Sequence, residues 1–233
     1  MGESQMKSEH VVKSFDEDLL RLKNAILEMG ELAQWQLEKS LIVLDKNDKV
    51  LAGRVADYDD KVDRKLEEVN NLCIKMLALR QPMASDLRTI ISALRMSVDL
   101  ERVADYTVNI VRSAMEIEDQ WPQDEIQKSL RMGQIALDML RGALSAYREL
   151  SAEKSIEIWR TDRKLDDIYS AFLFDVRERM KADPESIPAG SRLLFMARSF
   201  ERIGDHITNI MEQVYFMVKG GSLIEAIALN TSI

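Results

Sequence analysis

Residues 100–110 read LERVADYTVNI and residues 200–210 read FERIGDHITNI, one pattern met twice at an offset of 100. Two more blocks recur in the same order. DDKVD at 59–63 matches DRKLD at 162–166, and Met29-Gly30 with Ala33, Leu37 and Leu41 matches Met132-Gly133 with Ala136, Leu140 and Leu144, both at an offset of 103. Three ordered matches identify a tandem duplication. The offset changes by three between the second and third helical segment of each repeat, where a loop would absorb it.

Working outward, the helix breakers are few: Asn47-Asp48, Gln81-Pro82, Trp121-Pro122, Glu149 to Ser151, Asp183 to Gly190, and Gly220-Gly221. They leave six segments, 8–45, 49–80, 84–119, 124–148, 152–181 and 187–219, each with helical apolar spacing, as in Leu19, Leu22, Ile26, Met29, Ala33, Leu37, Leu41 and Leu44. Asp124 before Gln127 suggests a capping box, and Pro188 suits a first helical turn. Helices of such length, roughly 45 Å, need neighbours along their whole extent, and short connections make those neighbours antiparallel. The expected fold is therefore all-α: two tandem three-helix bundles, six long antiparallel helices, residues 1–121 forming the first repeat and 122–233 the second with an apolar C-terminal tail.

Composition agrees. Nine glycines and four prolines in 233 residues, with 46% hydrophobic but only 6% aromatic residues, exclude an all-β chain. A net charge of −8 and a pI near 5.0, with both signs interspersed, argue against a generic nucleic-acid surface. Apolar runs reach about four residues, far short of a membrane span. MGESQMKSEH at the start has no apolar signal core, so a cytoplasmic location is expected. The single cysteine, Cys73, continues the apolar series Val62, Leu66, Val69, Met76 and reads as packing rather than as a nucleophile. Met29, Met96, Met132 and Met196 lie on apolar stripes and read as core.

What repeats most sharply is acidic. Glu101 with Asp105, Glu201 with Asp205, Asp59 with Asp63 and Asp162 with Asp166 are i,i+4 pairs, so both members share a helix face. Like charges at that spacing repel by roughly 0.2–0.5 kcal/mol per pair. On the third helix Met96, Leu100, Val103, Thr107 and Ile110 form one stripe, while Glu101 and Asp105 continue Leu87 and Leu94 on the other side. Met196, Phe200, Ile203, Ile207 and Ile210 repeat that stripe on the sixth helix, opposite Leu194, Glu201 and Asp205. A helix apolar on two sides is packed on two sides, which screens these carboxylates from water.

Two compensations stand open. Salt bridging is one, from Arg198 three residues before Glu201 and from Lys61, Arg64, Arg163 and Lys164 beside the aspartate pairs; Val98 in the place of Arg198 weakens it in the first repeat. Metal binding is the other. Two pairs from adjacent antiparallel helices would converge four carboxylates, a hard oxygen set suited to magnesium, manganese, calcium or iron. Asn109 and Asn209 would orient ligands or simply bond between helices. Ferritin-like di-iron chemistry needs a Glu-x-x-His pair on each of two helices. The only histidines are His10 and His206, and Tyr106 matches His206 in the other repeat, so redox catalysis is disfavoured. Gly-rich phosphate loops, a Ser-His-Asp set and Cys-x-x-Cys are absent.

The tandem layout, QPMASDLR at 81–88, DLERVAD at 99–105 and SFERIGDHITNI at 199–210 resemble the PhoU family of accessory and regulatory proteins of phosphate-specific transport, over roughly residues 8–220. The resemblance implies multinuclear metal clusters on the E(D)xxxD motifs, with ligands at Glu101, Asp105, Glu201 and Asp205 and, from the preceding helices, Asp59, Asp63, Asp162 and Asp166. Iron, manganese, magnesium or zinc would be the metal. Tyr106 departs from the family's usual histidine at that place. The resemblance further implies a non-enzymatic adaptor, dimeric, at the cytoplasmic side of the membrane. Its implied partners are the phosphate ABC transporter's ATPase and permease and a phosphate-sensing histidine kinase, through which it would repress the phosphate regulon. The alternative is a metal-storage or metal-dependent carboxylate-bridged bundle.

Overall fold

In the computed structural model, residues 2–80, 82–117 and 123–230 are described, with side chains over 15–79, 82–117 and 123–229. The elements are α1 (Gly2–Lys46), α2 (Lys49–Asp57), α3 (Asp59–Arg80), α4 (Ala84–Met115), α5 (Gln123–Glu149), α6 (Ala152–Ala182), α7 (Ile187–Lys219) and α8 (Leu223–Asn230), with a 3-10 turn at Pro184–Ser186. The described residues contain no strand. The expected all-α fold is what forms. Pro188 sits in the first turn of α7, and Gly220, at φ 73°, closes that helix by donating its N–H to Phe216 O at 2.8 Å.

Three details differ from the sequence reading. The segment expected as one helix over 49–80 breaks at Tyr58 into α2 and α3. Asp48 caps α2 by accepting the Leu51 N–H at 2.9 Å, Tyr58 donates back to Val55 O, and the buried Gln36 amide donates to that carbonyl at 3.1 Å. Asp124 lies inside the first turn of α5, and the capping position before it falls outside the described residues, as do Gln81 and Trp121-Pro122. The apolar tail forms α8, which docks on α7 through buried Leu223.

The helices make two layers. α4 and α7 pair at the centre of one layer, with α3 flanking α4 and α6 flanking α7; α1 and α5 lie beneath and touch each other. One continuous core runs through both repeats, joining Leu37, Leu100 and Val103 to Leu140, Phe200 and Ile203. All four methionines named above are buried in it. The nominal boundary at 121/122 lies outside the described residues.

At the α1–α5 crossing the packing is reciprocal. A Cβ on Gly30 would collide with the Leu144 side chain, and one on Gly133 with Leu41 and, at 2.8 Å, the Phe200 ring. Gly30 and Gly133 are repeat mates, as are Leu41 and Leu144. Each repeat therefore offers the other the same leucine and the same bare backbone, a self-complementary interface of the kind a twofold axis makes. Burial pushes the Cys73 thiol up to about 12, and its Sγ faces Ile90 O at 3.7 Å, so it is a packing residue as expected.

Candidate functional site

α3 lies against α4 and α6 against α7, and this pairing brings the acidic residues together in two groups. Asp59, Asp63, Glu101 and Asp105 feel one another's charge in the first repeat; Asp162, Asp166, Glu201 and Asp205 do so in the second. The two groups match closely. The side chains of Glu101 and Glu201 are 19% and 18% exposed, those of Asp105 and Asp205 38% and 40%.

The cations that form ion pairs with these groups are not those the sequence pointed to, although the charge of Arg198 does reach Glu201. Arg102 Nη1 meets Asp105 Oδ2 at 2.9 Å with Nε 3.4 Å from Glu101, and Arg202 repeats this on Asp205 at 2.7 Å and Glu201 at 3.4 Å. Among the described residues, Lys61, Arg64, Arg163, Lys164 and Arg198 make no ion pair with the eight carboxylates; Lys61 instead sits 3.5 Å above the Tyr58 ring. The signal for Arg102 and Arg202 was available, since the arginine follows the glutamate in both repeats. Arg112 adds its charge at Asp59 and Arg198 at Glu201, yet four carboxylates still outnumber the arginines and leave each group net negative.

Burial, then neighbouring charge, raises the affinity for protons. Desolvation and the charge of Asp105 lift Glu101 above its ordinary value, and desolvation with Asp105 and Asp63 lifts Asp59. Glu201 and Asp166 rise for the same reasons, with Asp205 as the main charge. Asp162 moves furthest: desolvation, then Asp166, Asp205 and Glu201, push it up to about 7. Its Oδ1 and Glu201 Oε2 are buried without a hydrogen-bond partner, the latter at ion-pair distance from Arg202 Nε but not bonded to it. Unpartnered buried oxygens beside surplus negative charge fit a hard cation by donor type. Among the described residues, no three His, Cys, Asp or Glu groups stand close enough to share one ion as placed.

The repeats differ in how the first aspartate is seated. Asp162 lies mid-helix in α6 and presses against Gly204 of α7, where a Cβ would collide with its carboxylate and approach Leu165 to 2.7 Å. The first repeat carries Ala104 at that place, and there the helix is broken so that Asp59 opens the first turn of α3. Between the two groups runs a polar seam. His206 Nδ1 and Asp99 Oδ1 are 2.9 Å apart, Asn209 donates to the same oxygen at 3.2 Å, and Tyr106 stacks on His206 with ring centroids 5.7 Å apart. Asn209 is thus an interhelical bonding group. Asp99 was not foreseen, because its repeat mate is Ser199 and the duplication carries no echo of it.

The family model described as "PhoU domain" matches the chain twice, over residues 26–114 and 129–214. The phosphate-specific transport system accessory protein PhoU homolog of Caulobacter vibrioides is 35% identical over 217 residues, 93% of this chain and 94% of that protein. The crystal structure of PhoU from Pseudomonas aeruginosa superposes with a TM-score of 0.85 at 31% identity, covering 89% of this chain and all of that one. The phosphate transport system regulatory protein PhoU from Streptococcus pneumoniae superposes at 0.84 with 30% identity, covering 90% and 99%.

Proposed function

The chain belongs to the PhoU family, and from that premise we propose that it is an accessory regulator of phosphate transport rather than an enzyme. In the finer reading it joins the phosphate ABC transporter's ATPase or permease to a phosphate-sensing histidine kinase and restrains the phosphate-starvation response when phosphate is plentiful. It would act as a homodimer at the cytoplasmic side of the membrane. No helix among the described residues is long and apolar enough to cross a membrane, so contact with the bilayer would be peripheral.

One observation supports a role for metal in this work. Four carboxylates lie on paired helices twice, at equivalent places and in excess of the arginines beside them, with Asp162 Oδ1 and Glu201 Oε2 buried and without a hydrogen bond. Asp59, Asp63, Glu101 and Asp105 would hold cations in the first repeat, and Asp162, Asp166, Glu201 and Asp205 in the second, iron, manganese, magnesium or zinc being the candidates. Bound cations would convert two negative patches into positive surface for phosphate, acidic partner segments or lipid headgroups. The chain's own contribution is to fix the donors on rigid helices, with Arg102 and Arg202 as their ion-pair partners among the described residues.

The test is capture of the kinase and the transporter ATPase by immobilised protein, with and without chelator. Chelation, and Glu101→Ala with Glu201→Ala, should each lower capture several-fold. Capture indifferent to both would remove metal from the account and leave only the regulatory assignment.

A further inference from the structure

At the end of the bundle where α4 and α6 finish and α5 and α7 begin lies a cavity of about 710 Å³. Its floor belongs to the core. Ile117, Val176 and Leu193 line it and are buried, and Met180 lies so close over Gly190 that a Cβ there would stand 2.7 Å from the Met180 Cγ. Two ion pairs line it as well. Arg179 Nη1 of α6 donates to Glu125 Oε1 of α5 at 2.8 Å, and Arg192 Nη1 of α7 lies 2.6 Å from Oε2 of Glu116, the residue after α4. With exposed Asp183 and Glu185, four carboxylates face two arginines. The duplication supplies a comparison within the same chain. The mates of Glu125 and Arg179 are Leu22 and Met76, both buried in the main core, and those of Glu116 and Arg192 are Phe216 and Ser92. One fold therefore holds an apolar pair in the first repeat and a charged pair in the second. The Glu125 side chain is only 12% exposed, and an ion pair so placed brings no stability over a well-packed apolar pair, because desolvation offsets its attraction. Packing alone does not account for the charge.

We propose that this cavity binds a small organic cation with an apolar body, an aryl or alkyl amine or amidine. Cavities of roughly 300–1,000 Å³ with an apolar floor and a few fixed polar groups are the usual form of a small-molecule site. The body lies on Ile117, Val176 and Leu193, and the cationic group meets Glu125, whose Oε2 accepts from the ligand while Arg179 holds Oε1. The surplus of carboxylates sets the sign, so an anion of the same shape is repelled. The site is separate from the acidic groups: Glu201 is eight residues along α7 from Leu193, about 12 Å at 1.5 Å per residue. It needs no metal and does not rest on the regulatory reading.

Benzamidine titrated into the whole protein tests this, with the methionine methyl signals followed by NMR and that of Met180 identified by its loss in Met180→Leu. The Met180 signal should shift saturably with benzamidine, and its neutral and anionic counterparts, benzamide and benzoate, should bind at least tenfold more weakly. Glu125→Leu with Arg179→Met gives the second repeat the first repeat's own pair; it should keep the melting temperature and weaken benzamidine at least tenfold. Should that variant unfold, Glu125→Gln, which keeps the shape and removes the charge, carries the same expectation. Glu201→Gln with Asp205→Asn should bind benzamidine as the unaltered protein does. A Met180 signal that benzamidine leaves in place overturns the proposal. So does equal binding of benzamide or benzoate, undiminished binding without the Glu125 charge, or binding lost with the Glu201 and Asp205 charges.

Discussion

Asp162 is the residue where the second acidic group concentrates its cost. Its carboxyl binds protons up to about pH 7 in the folded protein and only to about 4 when unfolded. Between those values the native state holds more protons, so this group's contribution to stability is full below about pH 4 and is lost as pH rises through 7. Metal-free protein should therefore melt at a higher temperature at pH 5 than at pH 8 as far as this group is concerned. Asp162→Asn should raise the pH 8 melting temperature and flatten that dependence in differential scanning fluorimetry. The seat beneath it makes a second prediction. Gly204→Ala drives a methyl into the Asp162 carboxylate and Leu165 and should cost about 1–3 kcal/mol in urea denaturation, as overpacking does. The acidic pairs themselves were legible from i,i+4 spacing. The partner choice of Arg102 over Lys61 was not, because a lysine beside an aspartate in sequence is free to turn to an aromatic ring.

At the scale of the helices, length and limits were readable because apolar spacing and breakers are local properties of the chain. The break at Tyr58 was not, since Trp35, Gln36 and Val55 meet there only after folding. The α1–α5 crossing separates two kinds of glycine. Gly133→Ala should destabilise by about 1–3 kcal/mol because its methyl meets Leu41 and Phe200. Gly53→Ala in α2, where a Cβ meets nothing within 4 Å, should stabilise by up to about 1 kcal/mol through helix propensity alone. Chemical denaturation of both variants side by side reads the difference between a packed and an open glycine.

For the molecule as a whole, the two repeats share a core, so anything that stabilises one face stabilises the entire fold. A divalent cation at a hundred times its dissociation constant adds about 2.7 kcal/mol to the native state at one site. For a chain of this size that is roughly 5–10 °C in melting temperature at 2–4 °C per kcal/mol. Chelated protein titrated with Mn²⁺ should show such a rise, reduced in the Asp105→Asn/Asp205→Asn variant. The duplication, the all-helical architecture and the eight acidic positions were set by the chain alone, because repetition, periodicity and i,i+4 spacing are written along it. Which helices pair, how the repeats exchange glycine for leucine, where Asp99 meets His206, and why Asp162 seats mid-helix against Gly204 while Asp59 opens a helix were decided only in three dimensions. Those outcomes depend on contacts between residues tens to a hundred positions apart: the bare backbone at Gly204 seats Asp162, while Trp35 and Gln36 reach across to the break before Asp59.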